Sequence, residues 1–114
     1  MHELSIATNI VAIAEEQAEQ NKAKSVREIT IEIGALSGVV VEALEFAMEE
    51  AIKNTLLENS HYILQLIPAK GRCQQCEKEF YMEEHFSVCP FCQHTRIDIL
   101  QGKELNVKSL KIDT

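Results

Sequence analysis

The cysteines of this 114-residue sequence form two Cys-x-x-Cys pairs, Cys73–Cys76 and Cys89–Cys92, and the chain has no others. A Cys-x-x-Cys turn directs two sulfur atoms toward one side, so two such turns can surround one tetrahedral ion. Gly71 before the first pair and Pro90 inside the second favour tight backbone turns. The pattern therefore predicts a structural Zn²⁺ site bound by Cys73, Cys76, Cys89 and Cys92.

Two other uses of paired cysteines are less consistent with the sequence. Two disulfides would suit a secreted chain, but no signal-peptide pattern opens this one. A redox Cys-x-x-Cys needs only one pair and usually a thioredoxin-like βαβ context. The doubled pair therefore favours metal binding over both alternatives.

The charge of the chain argues against nucleic-acid binding. The formal net charge is −7, and four thiolates with one Zn²⁺ would add −2, which gives about −9. Phosphate binding requires clustered Lys and Arg, and the basic stretch Lys70-Gly71-Arg72 is short. Because no apolar run approaches the ~20 residues of a membrane span, we expect a cytoplasmic protein without membrane or nucleic-acid partners.

Hydrophobic periodicity predicts two amphipathic helices. The first runs from Glu3 to about Gln20, with an apolar stripe that comprises Leu4, Ala7, Ile10, Val11, Ala14 and Ala18. The second runs from about Val41 to Leu57, with a stripe that comprises Leu44, Ala47, Met48, Ala51, Ile52 and Thr55. Met48 on that stripe is expected to fill the core rather than to bind a metal.

Three strands are predicted between and after the helices. Ile29, Ile31 and Ile33 alternate with polar residues, which indicates a strand with one buried face. The other two strands are predicted at residues 61–67 and 105–112. In the strand at 105–112 the alternation of apolar and polar residues slips by one place near Ser109, which suggests a β-bulge.

The order of elements predicts an α+β fold in which two helices pack on a small three-stranded mixed sheet. Residues 1–69 and 103–114 would form this α/β domain. Residues 70–102 would form an inserted, rubredoxin-like zinc-ribbon module, which is too small to bury a core of its own. Structural zinc can contribute roughly 10–16 kcal/mol of folding free energy in such modules.

The amino terminus offers a second kind of metal site. The large side chain of His2 is expected to prevent removal of Met1. The α-amine of Met1, the amide nitrogen of His2 and its imidazole could then form two adjacent chelate rings, and Glu3 could add an oxygen. Nitrogen-rich sites of this kind suit Ni²⁺ and Cu²⁺. The simpler reading is a solvated terminal histidine and an acid that complements the helix dipole.

Together these motifs resemble the HypA family of nickel-incorporation proteins. The resemblance comprises Met-His-Glu-Leu-Ser at residues 1–5, Ile-Gly-Ala-Leu-Ser-Gly at residues 33–38, Glu42-Ala43-Leu44, the cysteine pairs, Gly102, and the ending at residues 107–113. It covers essentially the whole chain. The chain departs from the family pattern at Val41, where a proline is expected, and at Gln93-His94, where a Cys-His pair is common.

The resemblance implies a metallochaperone rather than an enzyme. It implies Ni²⁺ binding through Met1, His2 and Glu3, structural zinc on the four cysteines, and delivery of nickel to the large subunit of [NiFe]-hydrogenase. The implied partners are a HypB-type GTPase and, in some bacteria, the urease accessory proteins. The sequence leaves a monomer and a homodimer equally open.

Two alternative functions follow from the zinc site alone. A zinc-ribbon interaction module would bind nucleic acid or a transcription complex, which the acidic charge opposes. A small zinc enzyme would need an open metal position, which four cysteines do not leave. His61, His85 and His94 are expected to be surface or strand histidines, although His85 and His94 lie close to the cysteine pairs.

Overall fold

A computed structural model describes residues 3–83 and 88–114 of the chain. Within these residues the chain forms two helices and two three-stranded sheets, with strand orders β2-β1-β6 and β4-β3-β5. Neither helix is both long and apolar enough to cross a membrane. The elements in chain order are α1 Glu3–Gln20, β1 Ser25–Gly34, α2 Val41–Ala51, β2 His61–Ile67, β3 Ala69–Cys73, β4 Glu79–Met82, β5 Ile97–Gln101 and β6 Leu105–Asp113.

The chain divides into two compact units. The first takes in the chain up to Glu32, Val39–Gln65 and Asn106–Thr114, and the second takes in Ile33–Gly38 and Leu66–Leu105. The unit that holds the cysteines is thus larger than residues 70–102. This division does not show which residues fold independently. The predicted domains, residues 1–69 with 103–114 and residues 70–102, therefore remain a prediction.

Helix α1 has the predicted bounds and buries most of the predicted stripe. Ala7, Ile10, Val11, Ala14 and Ala18 are at most 4% exposed, and α1 packs against α2 in the first unit. The prediction that Leu4 belongs to the buried stripe was wrong, because Leu4 is 56% exposed. At 100° per residue it lies at the edge of the buried stripe and in the first helical turn.

Strand β1 has the predicted register. Ile29, Ile31 and Ile33 are buried, whereas Thr30 and Glu32 between them are half-buried. Side chains alternate between the two faces of a strand, so these isoleucines form one apolar face that the core covers. The predicted register is confirmed.

Helix α2 is shorter than predicted. It buries Leu44, Ala47 and Met48 but ends at Ala51 rather than Leu57, and Ile52 is only half-buried. The backbone leaves the helix because Asn54 adopts a positive φ of 60°. The Thr55 hydroxyl donates to the Ile52 carbonyl at 2.6 Å and accepts from the Leu57 N–H at 3.1 Å. These local bonds replace the helical ones and leave Leu57 fully buried.

The remaining strands of the first sheet match the predicted positions. β2 spans His61–Ile67, and β6 spans Leu105–Asp113, one residue longer than predicted. The alternation of burial along β6 slips by one place, because Lys108 and Ser109 are both exposed. The slip agrees with the predicted irregularity, and the bulge itself stays a prediction.

The second unit contains three strands that hydrophobic periodicity did not predict. β3 is central and pairs antiparallel with β4 and with β5. A small core forms where Leu36, Ala69 and Met82 are buried together, with Phe80, Ile97 and Ile99 packed against it. Their pattern is weak in the sequence because β3 carries no large aliphatic or aromatic residue and β4 and β5 are only four and five residues long.

Candidate metal centre

The first cysteine pair lies in a tight turn that follows β3. The Cys73 N–H donates to the Lys78 carbonyl at 3.0 Å, and the Glu77 N–H donates to the Cys73 carbonyl at 2.9 Å. Inside this turn the N–H groups of Gln75 and Cys76 point at the Cys73 sulfur, at 3.3 Å and 3.5 Å. The backbone therefore stabilises a negative charge on that sulfur.

The second pair repeats the same arrangement. The Cys89 N–H donates to the His94 carbonyl at 2.9 Å, and the Gln93 N–H donates to the Cys89 carbonyl at 2.8 Å. The Phe91 N–H lies 3.4 Å from the Cys89 sulfur. Each turn thus holds its first cysteine in the orientation of a thiolate ligand.

The two turns bring all four sulfur atoms together. The sulfurs of Cys73 and Cys92 are 3.5 Å apart, those of Cys76 and Cys89 are 3.6 Å apart, and all four lie within 4.8 Å of one another. A regular tetrahedron of sulfurs with Zn–S bonds near 2.3 Å has edges of about 3.8 Å. The cluster therefore fits a tetrahedral metal site.

The same distances exclude the disulfide alternative. All four cysteines are free, and the closest sulfur pairs are far longer than the ~2.05 Å of a disulfide bond. Cys73 and Cys89 are fully buried, Cys76 is half-buried and Cys92 is exposed. The site is therefore closed on the side of the first cysteine of each pair and open to solvent at Cys92.

The close approach of the four thiols and the surrounding N–H groups shifts the pKa values of three of them. Burial raises the pKa of Cys73, but N–H hydrogen bonds from Cys76 and Gln75 outweigh it and the pKa is lowered. Burial also opposes ionisation of Cys89, yet the N–H groups of Cys92 and Phe91 lower its pKa to about 6.

Cys92 shows the opposite shift. The backbone N–H of His94 lowers the pKa of Cys92, but partial desolvation of its sulfur among the other thiols and hydrogen bonds with those thiols raise it to about 12, although the residue as a whole is exposed. At these separations thiolates repel one another, so a cation among the sulfurs would let all four ionise together.

One backbone feature of the turns was not anticipated from the sequence. Glu77 and Gln93, the residues that follow the second cysteine of each pair, adopt positive φ angles of 64° and 62°. Glycine usually occupies such left-handed positions. Because neither residue is glycine, asparagine or aspartate, the sequence carries no signal for this conformation.

Both cations of the basic stretch at residues 70–72 lie beside acidic side chains. The ammonium group of Lys70 lies 3.1 Å from Glu79, and the guanidinium group of Arg72 lies 3.7 Å from Glu77. Each of these two cations therefore has an acidic partner.

The predicted nickel ligands are Met1, His2 and Glu3, and the histidines His61, His85 and His94 were not expected to bind metal. Glu3 is the first residue of α1. Met1, His2 and His85 lie outside residues 3–83 and 88–114. His94 contributes its carbonyl to the second turn, and His61 is exposed at the start of β2.

Comparison with known proteins identifies the family. The family model described as hydrogenase/urease nickel incorporation, metallochaperone, HypA matches residues 1–112. A protein from Parabacteroides distasonis named hydrogenase maturation factor HypA is 49% identical over 112 residues, which cover 98% of this chain and 97% of that protein. A protein of the same name from Geotalea daltonii is 44% identical and covers 98% of this chain and 99% of its own length.

Solved structures share the fold. The solution structure of the Ni metallochaperone HypA from Helicobacter pylori matches with a TM-score of 0.73 at 24% identity and covers 100% of this chain and 99% of that one. A second HypA solution structure matches with a TM-score of 0.67 at 26% identity over 98% and 96% of the two chains. With the four-cysteine cluster in place and the family match over nearly every residue, the chain belongs to the HypA family of nickel-incorporation metallochaperones.

Proposed function

We propose that this chain binds Ni²⁺ at its amino terminus and delivers it during [NiFe]-hydrogenase maturation, while its four cysteines hold a structural Zn²⁺. The observation that carries this proposal is the HypA family match over residues 1–112. The curated relatives are named hydrogenase maturation factors, and one structural neighbour is a nickel metallochaperone. The nucleic-acid-binding alternative has no support among these proteins.

The dimensions and chemistry of the cysteine cluster support zinc as the resident metal. Zn²⁺ favours four thiolates in a tetrahedron, and the sulfur separations of 3.5 Å and 3.6 Å suit that geometry. Cys73, Cys76, Cys89 and Cys92 would hold the ion. Its role would be to hold the two turns together, because four thiolates leave no position for water or substrate.

The nickel site we propose lies at Met1, His2 and Glu3. The α-amine of Met1, the backbone amide and imidazole of His2, and the carboxylate of Glu3 offer nitrogen and oxygen ligands of the kind Ni²⁺ accepts. Such a chelate at the end of the chain would release its cargo readily, as a carrier requires. Ni²⁺ competes with protons for the amine, so we expect its affinity to fall in acid.

A carrier role implies partners and no reaction chemistry. We propose that the chain is not an enzyme and that it acts in the cytoplasm with a HypB-type GTPase and the hydrogenase large subunit. In organisms with urease, the urease accessory proteins would also receive nickel. A monomer and a homodimer are both compatible with this role.

The test is nickel titration of the protein with its native, untagged amino terminus. We expect one Ni²⁺ per chain, and we expect both His2→Ala and a glycine added before Met1 to weaken binding at least tenfold. The added glycine is the sharper variant, because it retains every side chain and moves only the free amine away from His2.

Two controls accompany this titration. Zinc content and melting temperature are expected to stay at the wild-type values in both variants, because the four cysteines are unchanged. A His61→Ala variant serves as the matched control for loss of an exposed histidine and is expected to bind nickel normally. Wild-type nickel affinity in both terminal variants would contradict the proposed site.

A further inference from the structure

Helix α2 exposes an aromatic side chain on an acidic surface. Phe46 is 75% exposed, the highest value among the large apolar side chains of the described residues. We define the acidic face of α2 by the five exposed residues of this helix, which are Glu42, Glu45, Phe46, Glu49 and Glu50.

Helix geometry places carboxylates on both sides of the Phe46 ring. Glu42 precedes Phe46 by four residues, and Glu49 and Glu50 follow it by three and four, so all three are its neighbours on the helix surface. A shallow hollow of about 270 Å³ lies beside the ring and is lined by Phe46, Glu49, Glu50 and Lys53. An exposed aromatic group is thus set among carboxylates.

Among the described residues, most of this negative charge has no cationic partner. Lys53 pairs with Glu50 at 3.0 Å, whereas no ion pair is found for the Glu42, Glu45 or Glu49 carboxylates within residues 3–83 and 88–114. The carboxylates of this face also affect Tyr62. Burial raises the pKa of Tyr62, and the negative charges of Glu49 and Glu45 raise it further.

Elsewhere in the described residues, acidic side chains have lysine partners. Lys111 pairs with Glu28 at 2.9 Å on the first sheet, and Lys70 pairs with Glu79 at 3.1 Å on the second. The acidic face of α2 therefore combines unpaired negative charge with an exposed aromatic anchor. Phosphate backbones and anionic lipid surfaces would be repelled from it.

We propose that the acidic face of α2 docks a protein partner whose surface carries Lys and Arg around an apolar pocket that receives the Phe46 ring. Single exposed apolar residues are ordinary, but an exposed aromatic side chain with polar groups around it has the arrangement of a small interface, in which an aromatic anchor is bordered by a polar rim. The complementary charges would steer association, and burial of the ring would slow dissociation. This docking proposal rests on the proposed function only in the choice of the two proteins used to test it.

The test measures binding of this chain to two purified probes, the HypB-type GTPase and the hydrogenase large subunit of the same organism. We expect Phe46→Ala to weaken binding to at least one probe tenfold or more, and Phe46→Trp to retain it because the aromatic anchor is kept. We expect Glu45→Lys with Glu49→Lys to lower the association rate at least tenfold in 50 mM salt and to reduce the dependence of that rate on salt.

Matched controls lie on the other helix. Ile13→Ala removes an apolar side chain that is 50% exposed on α1, and Glu16→Lys reverses an exposed charge there. Both are expected to bind the probes as wild type does. Because Phe46 is exposed, its variants are expected to keep the wild-type melting temperature and zinc content.

Three results would overturn the docking surface. The first is wild-type affinity of Phe46→Ala for both probes, and the second is a wild-type chain that binds neither. The third is a wild-type homodimer that Phe46→Ala converts to a monomer, which would make a second copy of the chain the occupant of this face. Nickel binding by the same protein samples, measured in parallel, shows whether the proposed cargo function stands independently.

Discussion

Gly34 lies against the backbone of Gly102 so closely that a Cβ atom at position 34 would overlap the Gly102 carbonyl group. The Gly34 N–H donates to the Glu104 carbonyl at 2.7 Å, and the Leu36 N–H donates to the Gly102 carbonyl at 2.6 Å. Leu36 is buried in the same small core as Ala69. The turn after β1 is therefore an integral part of the unit that holds the cysteines.

Replacement of Gly34 by alanine is expected to destabilise the protein. The added methyl group would also come within 2.7 Å of the Glu104 nitrogen, and backbone atoms cannot move aside as a flexible side chain can. Overpacking of this kind typically costs about 1–3 kcal/mol. Chemical denaturation of the zinc-loaded protein measures the loss. Ala35→Ser, which changes the adjacent exposed residue, is the control, and equal stability of the two variants would contradict the close packing.

Replacement of Gln93 by glycine is expected to stabilise the metal centre. Gln93 adopts a φ of 62°, a left-handed conformation that is unfavourable for a residue with a Cβ atom. Glycine removes this cost but is more flexible in the unfolded chain, so the free energy of unfolding is expected to rise by about 0.5–1 kcal/mol. Slower loss of zinc to a chelator and a higher melting temperature would report this gain. Gln75→Gly serves as the control because Gln75 is an exposed residue of the first turn and has no positive φ. A Gln93→Gly variant that loses zinc faster than wild type would refute the prediction.

Replacement of Cys73 by alanine is expected to release zinc and unfold residues 70–102 locally. Cys73 ends the central strand β3 and is fully buried, so its loss removes one metal ligand and the anchor of the first turn. Metal analysis is expected to show at least a tenfold loss of zinc affinity, and hydrogen exchange is expected to increase across β3 and β5. Helix α1 is expected to retain its exchange protection, and full zinc occupancy would argue against the four-cysteine site.

Zinc release is expected as the pH falls below about 6. The pKa of Cys89 in the folded chain is about 6 against an ordinary value of 9.0. Because the folded-state pKa is lowered, the stability that this thiolate contributes is fully present above pH 9 and is lost as the pH falls through 6. Bound Zn²⁺ opposes protonation further, so release is expected below that value rather than above it. A colorimetric zinc indicator across pH 4–8 measures the transition, and full release at pH 7 would contradict this assignment.

Much of the fold was accessible from the sequence because its signals are local and periodic. The alternation of Ile29, Ile31 and Ile33 predicted the buried face of β1, and the stripe through Ala7, Ala14 and Ala18 predicted that of α1. Side-chain direction in a regular element depends only on position along the chain. The end of α2 was missed because capping bonds from Thr55 and the left-handed φ of Asn54 override an apolar pattern that continues to Leu57.

The sequence by itself determined which four sulfurs come together, because two Cys-x-x-Cys turns fix which sulfurs can share one ion. Only the tertiary structure decided how those turns are held. The left-handed residues Glu77 and Gln93, the N–H groups aimed at the sulfurs, and the place of Leu36 in the core of the cysteine-bearing unit have no periodic signal. The first two are local backbone geometry that no residue type signals here, whereas the burial of Leu36 with Ala69 and Met82 joins residues that are distant in sequence.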